Sequence, residues 1–188
     1  METRAGGNPR QPWGDARCAG AGSLRQLYEG YGPGEAAVLV DCLTDDPQST
    51  AAAVRDALVC HGGWPGAPGS VGYLFRDVGR LMFPAGPRSE ALIRLAWEAG
   101  AEDVMTGRRG VVEIYTDPLE LEAVRTTLES SGFTSAGHEL TRRAATTVPL
   151  EGSAAEGMRA LLDALRRVGG VRRIYTNAEV AGELLESV

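Results

Sequence analysis

Nineteen arginines and no lysine supply the fixed positive charge of this 188-residue chain, and eight of them form adjacent pairs: Arg108-Arg109, Arg142-Arg143, Arg166-Arg167 and Arg172-Arg173. A guanidinium is a planar fork of N–H donors that matches a phosphate or a carboxylate through two parallel hydrogen bonds. Doublets that converge in the folded chain would hold phosphates. Doublets left on a helix end or a strand would be solvated faces or surface ion pairs worth little for stability. Aromatic side chains that could stack on bases are Tyr28, Tyr31 and Trp64, the last within His61-Gly-Gly-Trp-Pro-Gly-Ala-Pro-Gly69. Trp64 reads as an exposed stacking residue or as a plug over a sheet. The candidate contact set is Tyr28, Tyr31, Trp64, Arg142, Arg143, Arg166, Arg167, Arg172 and Arg173.

Residues for bond-breaking chemistry are few. His61 and His138, the two histidines, fall at a helix end and on a strand, without the Cys or carboxylate spacing of a metal site. A histidine at a helix end suits a cap on the terminal carbonyls. Gly30-Tyr-Gly-Pro-Gly34 lacks the Gly-Lys-Ser/Thr of a phosphate loop, and Gly69-Ser-Val-Gly72 is one residue short of a nucleophile elbow. Asp45 and Asp46 most simply end a strand. Cys18, Cys42 and Cys60 have no paired spacing and read as reduced thiols, Cys42 as a buried one. The expectation is a protein that is not an enzyme, with no cofactor, no metal and no small-molecule substrate.

Charge limits the partners. Twenty-five acids against nineteen bases give a net charge of −6, whereas proteins that bind nucleic acid draw most of their affinity from a basic excess. Such binding would need a local arginine patch or a partner such as the ribosome. No stretch approaches the roughly 18 apolar residues that span a membrane. The first residues, Met-Glu-Thr-Arg-Ala-Gly-Gly, carry no apolar secretion segment, and the expected location is the cytoplasm.

The positioning elements follow from period and punctuation. Residues 1–26, rich in Gly, Ala, Arg and Pro, read as a disordered tail, and Tyr28 to Pro33 as an irregular lead-in loop. Ala36, Val38, Val40 and Cys42 alternate as one strand face. Thr50 is placed to cap a helix carrying Val54, Ala57 and Leu58, and Gly69 to Phe75 reads as a second strand. Arg76 to Arg80 then reads as a turn before a short strand, Leu81 to Phe83. A helix from Ser89, a hairpin around Gly107-Arg-Arg-Gly110, a helix from Asp117-Pro and a strand to Arg143 come next. Thr146 to Leu150, a helix after Ser153-Ala-Ala-Glu156 and Val171 to Thr176 close the pattern. LTD at 43–45, IYTD at 114–117 and IYTN at 174–177 mark three strand ends of similar build. The fold class is α+β: two ferredoxin-like split βαβ units, the second inserted into the first. The first occupies 27–84 plus 144–188, and the inserted one 85–143.

The words YEGYGPG, CLTD, HGG and GSVGYLF, with Glu98-Ala-Gly-Ala-Glu-Asp-Val104, Ile114-Tyr-Thr-Asp-Pro118 and Ile174-Tyr-Thr-Asn-Ala-Glu179, give the chain a resemblance to the YebC/PmpR family from about Leu27 to Val180. The resemblance implies the same discontinuous fold. It also implies a non-enzymatic regulator of gene expression, acting by DNA binding or as a ribosome-associated translation factor. The family includes a mitochondrial translational activator of a cytochrome oxidase subunit. Two departures stand out. Nothing in residues 1–26 matches the family's basic N-terminal helical domain, as expected of a shortened paralogue or a truncated gene product. Asp46-Pro-Gln-Ser49 replaces a basic, asparagine-rich loop. The alternative is a protein-interaction module or degenerate paralogue that has lost nucleic-acid binding. A clustered arginine face favours the first reading; scattered, acid-paired arginines favour the second.

Overall fold

The computed structural model describes residues 23–181 and 183–185; of the tail expected over residues 1–26, residues 1–22 lie outside them. The first sheet is organised around strand β2 (Ala37–Thr44), in which all residues but Leu43 are buried. β2 lies between β1 (Leu24–Tyr31) and β9 (Val171–Thr176), antiparallel to both, and β3 (Trp64–Pro65) adds two residues at the edge of β1. On one face, helices α1 (Pro47–Cys60) and α4 (Gly152–Arg166) bury Val54, Leu58, Met158, Leu161 and Leu165 against Val38, Val40, Cys42 and Ile174. Burial pushes the Cys42 thiol up to about 11, with the Asp41 charge adding to it, so that cysteine stays protonated.

The second sheet takes a contiguous stretch: β4 (Phe75–Phe83), α2 (Ser89–Glu98), β5 (Asp103–Thr106), β6 (Val112–Thr116), α3 (Leu121–Ser130) and β7 (Gly137–Ala144). Its order is β5-β6-β4-β7 with every neighbouring pair antiparallel. Leu81, Phe83, Val112 and Ile114 alternate onto the face where α2 and α3 supply Leu92, Ala96, Leu121, Val124 and Leu128. A small third sheet joins β8 (Val148–Pro149), β10 (Ala178–Val180) and β11 (Glu183–Leu184). Among the described residues the fold is thus a mixed α and β one, with four α-helices and antiparallel main sheets.

Three sequence expectations need correction. Leu24 to Tyr31 is not tail and loop but a full strand. On a sheet edge both its faces meet water, with Leu24 55% and Leu27 41% exposed, so no apolar alternation marks it. Gly69 to Phe75 is not a strand. The backbone N–H groups of Gly69, Val71 and Gly72, which a ladder would need, all donate to the Glu29 carboxylate at 2.6–2.8 Å, and Gly72–Leu74 turns as a 3-10 helix. Arg76 to Arg80 is not a turn but the middle of β4. Gly79 is there because a Cβ would stand 2.4 Å from Thr116 Oγ1 and 2.9 Å from Leu121 Cβ. The cap of α1 also shifts: Asp46 accepts from Ser49 N at 3.0 Å, and Thr50 instead bonds Thr44 at 2.8 Å between hydroxyls.

The three echoed strand ends do share a build. Thr44, Thr116 and Thr176 are buried, and each hydroxyl bonds backbone within the next two residues: Asp46 N, Asp117 O and Ala178 N respectively. The two main sheets meet through Ala37, Leu39, Val71 and Phe75, with the Phe75 and Tyr175 rings tilted at 6.4 Å. Arg173 crosses from β9 to Glu139 on β7 and reaches Thr141 Oγ1 at 3.4 Å.

Candidate nucleic-acid interface

The nine candidate residues fall into three places. Tyr31 and Trp64 stack at the β1–β3 edge, ring centroids 5.4 Å apart, leaving Trp64 44% exposed. Trp64 thus has one face packed on Tyr31 and the rest open. The Tyr31 hydroxyl donates to Ser70 O at 3.0 Å, and that of Tyr28 to Pro47 O at 2.9 Å. Burial raises the Tyr28 pKa, and Cys42 and Asp46 add to the rise, so its hydroxyl stays a donor. Tyr28 also lines a groove of about 460 Å³ between β1 and α1, with Leu27, Ala51, Leu58 and Pro65. Tyr73 is 76% exposed, while Phe75, two residues on, is buried.

Arg142, Arg143 and Arg173 form the second place, and each is held by an acid. Arg142 Nε donates to Asp77 at 3.0 Å, Arg143 to Asp103 at 2.5 Å, and Arg173 to Glu139. The Arg143 guanidinium also lies 4.4 Å from the centroid of the Tyr115 ring. Burial pulls the Arg173 pKa down, but the hydrogen bond and charge of Glu139 outweigh it and the net shift is upward. A strand pleat sends neighbours to opposite faces, so neither Arg142-Arg143 nor Arg172-Arg173 can act as one fork. Reversing those four charges would set acids against Asp77, Asp103 and Glu139, so binding and stability would change together.

Arg166, Arg167 and Arg172 form the third place, the turn from α4 to β9. All are exposed. Arg166 pairs with Asp163 one helical turn back at 2.7 Å, whereas the guanidiniums of Arg167 and Arg172 have no ion pair or hydrogen bond among the described residues. This place is remote from the aromatic stack. Tyr31 is opposite Ala37 on β2 while Val171 is opposite Cys42, a separation of roughly 16 Å at about 3.3 Å per residue. The remaining sequence expectations are simple to place. His61 Nδ1 lies 2.8 Å from Ala57 O, as expected of a helix-end cap, and His138 lies 3.5 Å from Glu122. Among the described residues no group of three His, Cys, Asp or Glu side chains is arranged to hold a metal ion, and no helix is long and apolar enough to cross a membrane.

Two features escape a reading of residue types. Arg25, on the unrecognised β1, pairs with the buried Asp41 through 2.9 and 2.6 Å bonds. Glu29, two strand positions before Tyr31, fastens the loop under the stacked rings. Burial pushes the Glu29 pKa up, but the three backbone donors prevail and hold it below the ordinary carboxylate range. The folded-state value is depressed, so its stabilisation is complete above the unfolded value of about 4.3 and drains away as pH falls below it. Trp64 emission, read in a Trp13→Phe/Trp97→Phe background that leaves it the one tryptophan, should therefore change as pH drops below about 4. In Glu29→Gln that acid change should vanish; an identical profile in both chains would refute the role of Glu29.

Two antiparallel main sheets that meet through a shared apolar layer, with four α-helices among the described residues, define a mixed α/β protein. The chain belongs to the family described as TACO1/YebC second and third domain, whose model matches residues 24–178. It is 40% identical over 161 residues to a "Probable transcriptional regulatory protein" of Francisella tularensis subsp. novicida (strain U112), covering 86% of this chain and 65% of that protein. A protein of the same description from Francisella tularensis subsp. tularensis (strain SCHU S4 / Schu 4) matches equally. The chain thus spans a little under two thirds of these curated relatives. Among solved structures, the conserved hypothetical protein Aq1575 from Aquifex aeolicus superposes with a TM-score of 0.77 at 36% identity, covering 89% of this chain and 69% of that one.

Proposed function

We propose that the chain is a non-enzymatic regulator of gene expression that works at the ribosome, touching RNA through the α4–β9 turn. The observation that carries this is the free state of Arg167 and Arg172 beside the exposed Arg166, while Arg142, Arg143 and Arg173 are held by acids. So short a cationic surface on a chain of net charge −6 suits a site already built from RNA and protein better than unaided binding along a duplex. The relatives' description as transcriptional regulators supports regulation of gene expression. A cytoplasmic setting follows from this reading. The scaffold is read as two ferredoxin-like split βαβ units, with the β4–β7 segment inserted into the unit formed by β1–β3 and β8–β9.

The test is co-sedimentation of the purified chain with ribosomes across a salt series, with duplex DNA as competitor. The chain should pellet with ribosomes in the presence of DNA, and Arg167→Glu/Arg172→Glu should lose most of that pelleting. Retention by DNA instead of ribosomes would move the function to transcription. A second reading, a protein-interaction module that has lost nucleic-acid binding, is favoured by the acid-paired arginines. It predicts neither pelleting nor DNA retention at any salt concentration.

A further inference from the structure

The β5–β6 turn carries charge that the candidate set leaves out. Gly107, Arg108, Arg109 and Gly110 form its tip, and Arg109 sits there at φ 62°, ψ 18°. That left-handed region is free of strain only for glycine. Of the three described non-glycine residues with positive φ, Glu35, Arg109 and Ala181, only Arg109 is a cation. It is exposed, and its guanidinium has no ion pair or hydrogen bond among the described residues. A strained backbone next to Gly110 would be eased by a glycine at 109 itself, so an arginine there points to a use for its side chain.

Register places this tip at the same end of the molecule as the α4–β9 turn. Thr106 is opposite Val112, Val112 opposite Phe83, and Gly137 opposite Met82, so the tip stands where β7 begins. Near that beginning, Glu139 holds Arg173. At the other end Phe75, which is opposite Ala144, meets Tyr175. β7 and β9 therefore run side by side in the same direction. Their first residues, Gly137 and Val171, mark one end of the molecule, which carries Arg109 on one sheet and Arg167 and Arg172 beyond the other. The acids near the β9 side of this end are Asp45, Asp46, which caps α1, and Asp163, which is paired with Arg166. Three strand spacings, about 14 Å, separate β7 from β5, and the step from β7 to β9 on the other sheet adds about 10 Å, a span that a phosphate backbone crosses in a few nucleotides.

We propose that Arg109 and the α4–β9 arginines form a two-point grip on an RNA backbone, with the second sheet supplying the second point. This rests on the ribosomal reading above. The test is binding of the full chain to a labelled RNA hairpin by fluorescence anisotropy across a salt series, with a DNA duplex of equal length run in parallel. Arg109→Gly should lower the slope of log affinity against log salt by about one, and Arg167→Glu/Arg172→Glu by about two. Arg94→Glu, which removes an exposed cation on α2, should leave the slope alone. Arg109→Gly should also melt no lower than the parent, since glycine suits that backbone. A slope in Arg109→Gly equal to the parent's, with the α4–β9 variant still impaired, overturns the grip and leaves the ribosomal reading standing. Failure of the parent to bind RNA or ribosomes overturns both. Tighter binding to the DNA duplex than to RNA overturns the assignment to RNA.

Discussion

Gly79→Val is expected to destabilise the protein by about 3 kcal/mol or more, seen as a fall in the urea midpoint with loss of the helix layer over the second sheet. The residue lies mid-strand in β4, opposite Thr116 on β6 and Leu140 on β7. A Cβ there would press 2.4 Å from Thr116 Oγ1 and 2.9 Å from both Cβ and Cδ1 of Leu121. Neither neighbour can retreat: Thr116 is fully buried and its hydroxyl donates to Asp117 O, and Leu121 opens α3 against the core. Valine adds two further methyl groups to that collision. Gly62→Ala is the contrast, since a Cβ there meets nothing within 4 Å and only its φ of +77° opposes the change, at about 1 kcal/mol. Equal urea midpoints for the two variants would refute the packing account.

Asn177→Ala should cost about 2–3 kcal/mol. Asn177 is 4% exposed and joins three segments. Its Oδ1 accepts from Ala37 N at 2.7 Å, its N–H donates to Ala37 O at 3.3 Å, and its own carbonyl accepts from Val148 N at 2.8 Å. Truncation leaves the backbone bonds possible but strips the buried Ala37 N–H of its acceptor. A buried donor without a partner forfeits its full solvation. The measurement is chemical denaturation together with hydrogen exchange at Ala37, whose protection should fall first. Unchanged stability would mean that Asn177 terminates β9 without fastening β2.

These two residues also show how far residue types carried the reading. The echo of LTD, IYTD and IYTN was visible, and its physical content, a buried threonine hydroxyl tied to nearby backbone, matches at all three places. The apolar faces of β2, α3 and α4 were legible because each lies wholly against a core and so keeps a clean period. β1 was not legible. An edge strand wetted on both faces has no period to keep, and its hold on the sheet comes from backbone pairing with β2 and from polar ties such as Arg25 to Asp41. Gly79 was read as a turn because glycine's freedom and glycine's smallness look the same in a sequence; only the position of Leu121 tells them apart. The arginine doublets part company in space for a related reason. Adjacency along a strand is opposition in space, so Arg142 and Arg143 went to different acids, Asp77 and Asp103.

The second sheet leaves the first through Phe75 and returns through Ala144, which face each other across β4 and β7, and Ala145 N donates to Leu74 O at 2.8 Å. Departure and return are therefore neighbouring rungs of one ladder. The whole β4–β7 segment hangs from the rest as a hairpin would, however long it is. A gene in which Leu74 and Ala145 were joined by a tight turn would still encode every strand and helix of the first sheet. The segment is in this sense a cassette by its connections: excision would require one closing turn, together with a new cover for Ala37, Leu39 and Val71 where Phe75 packs and a new partner for Arg173.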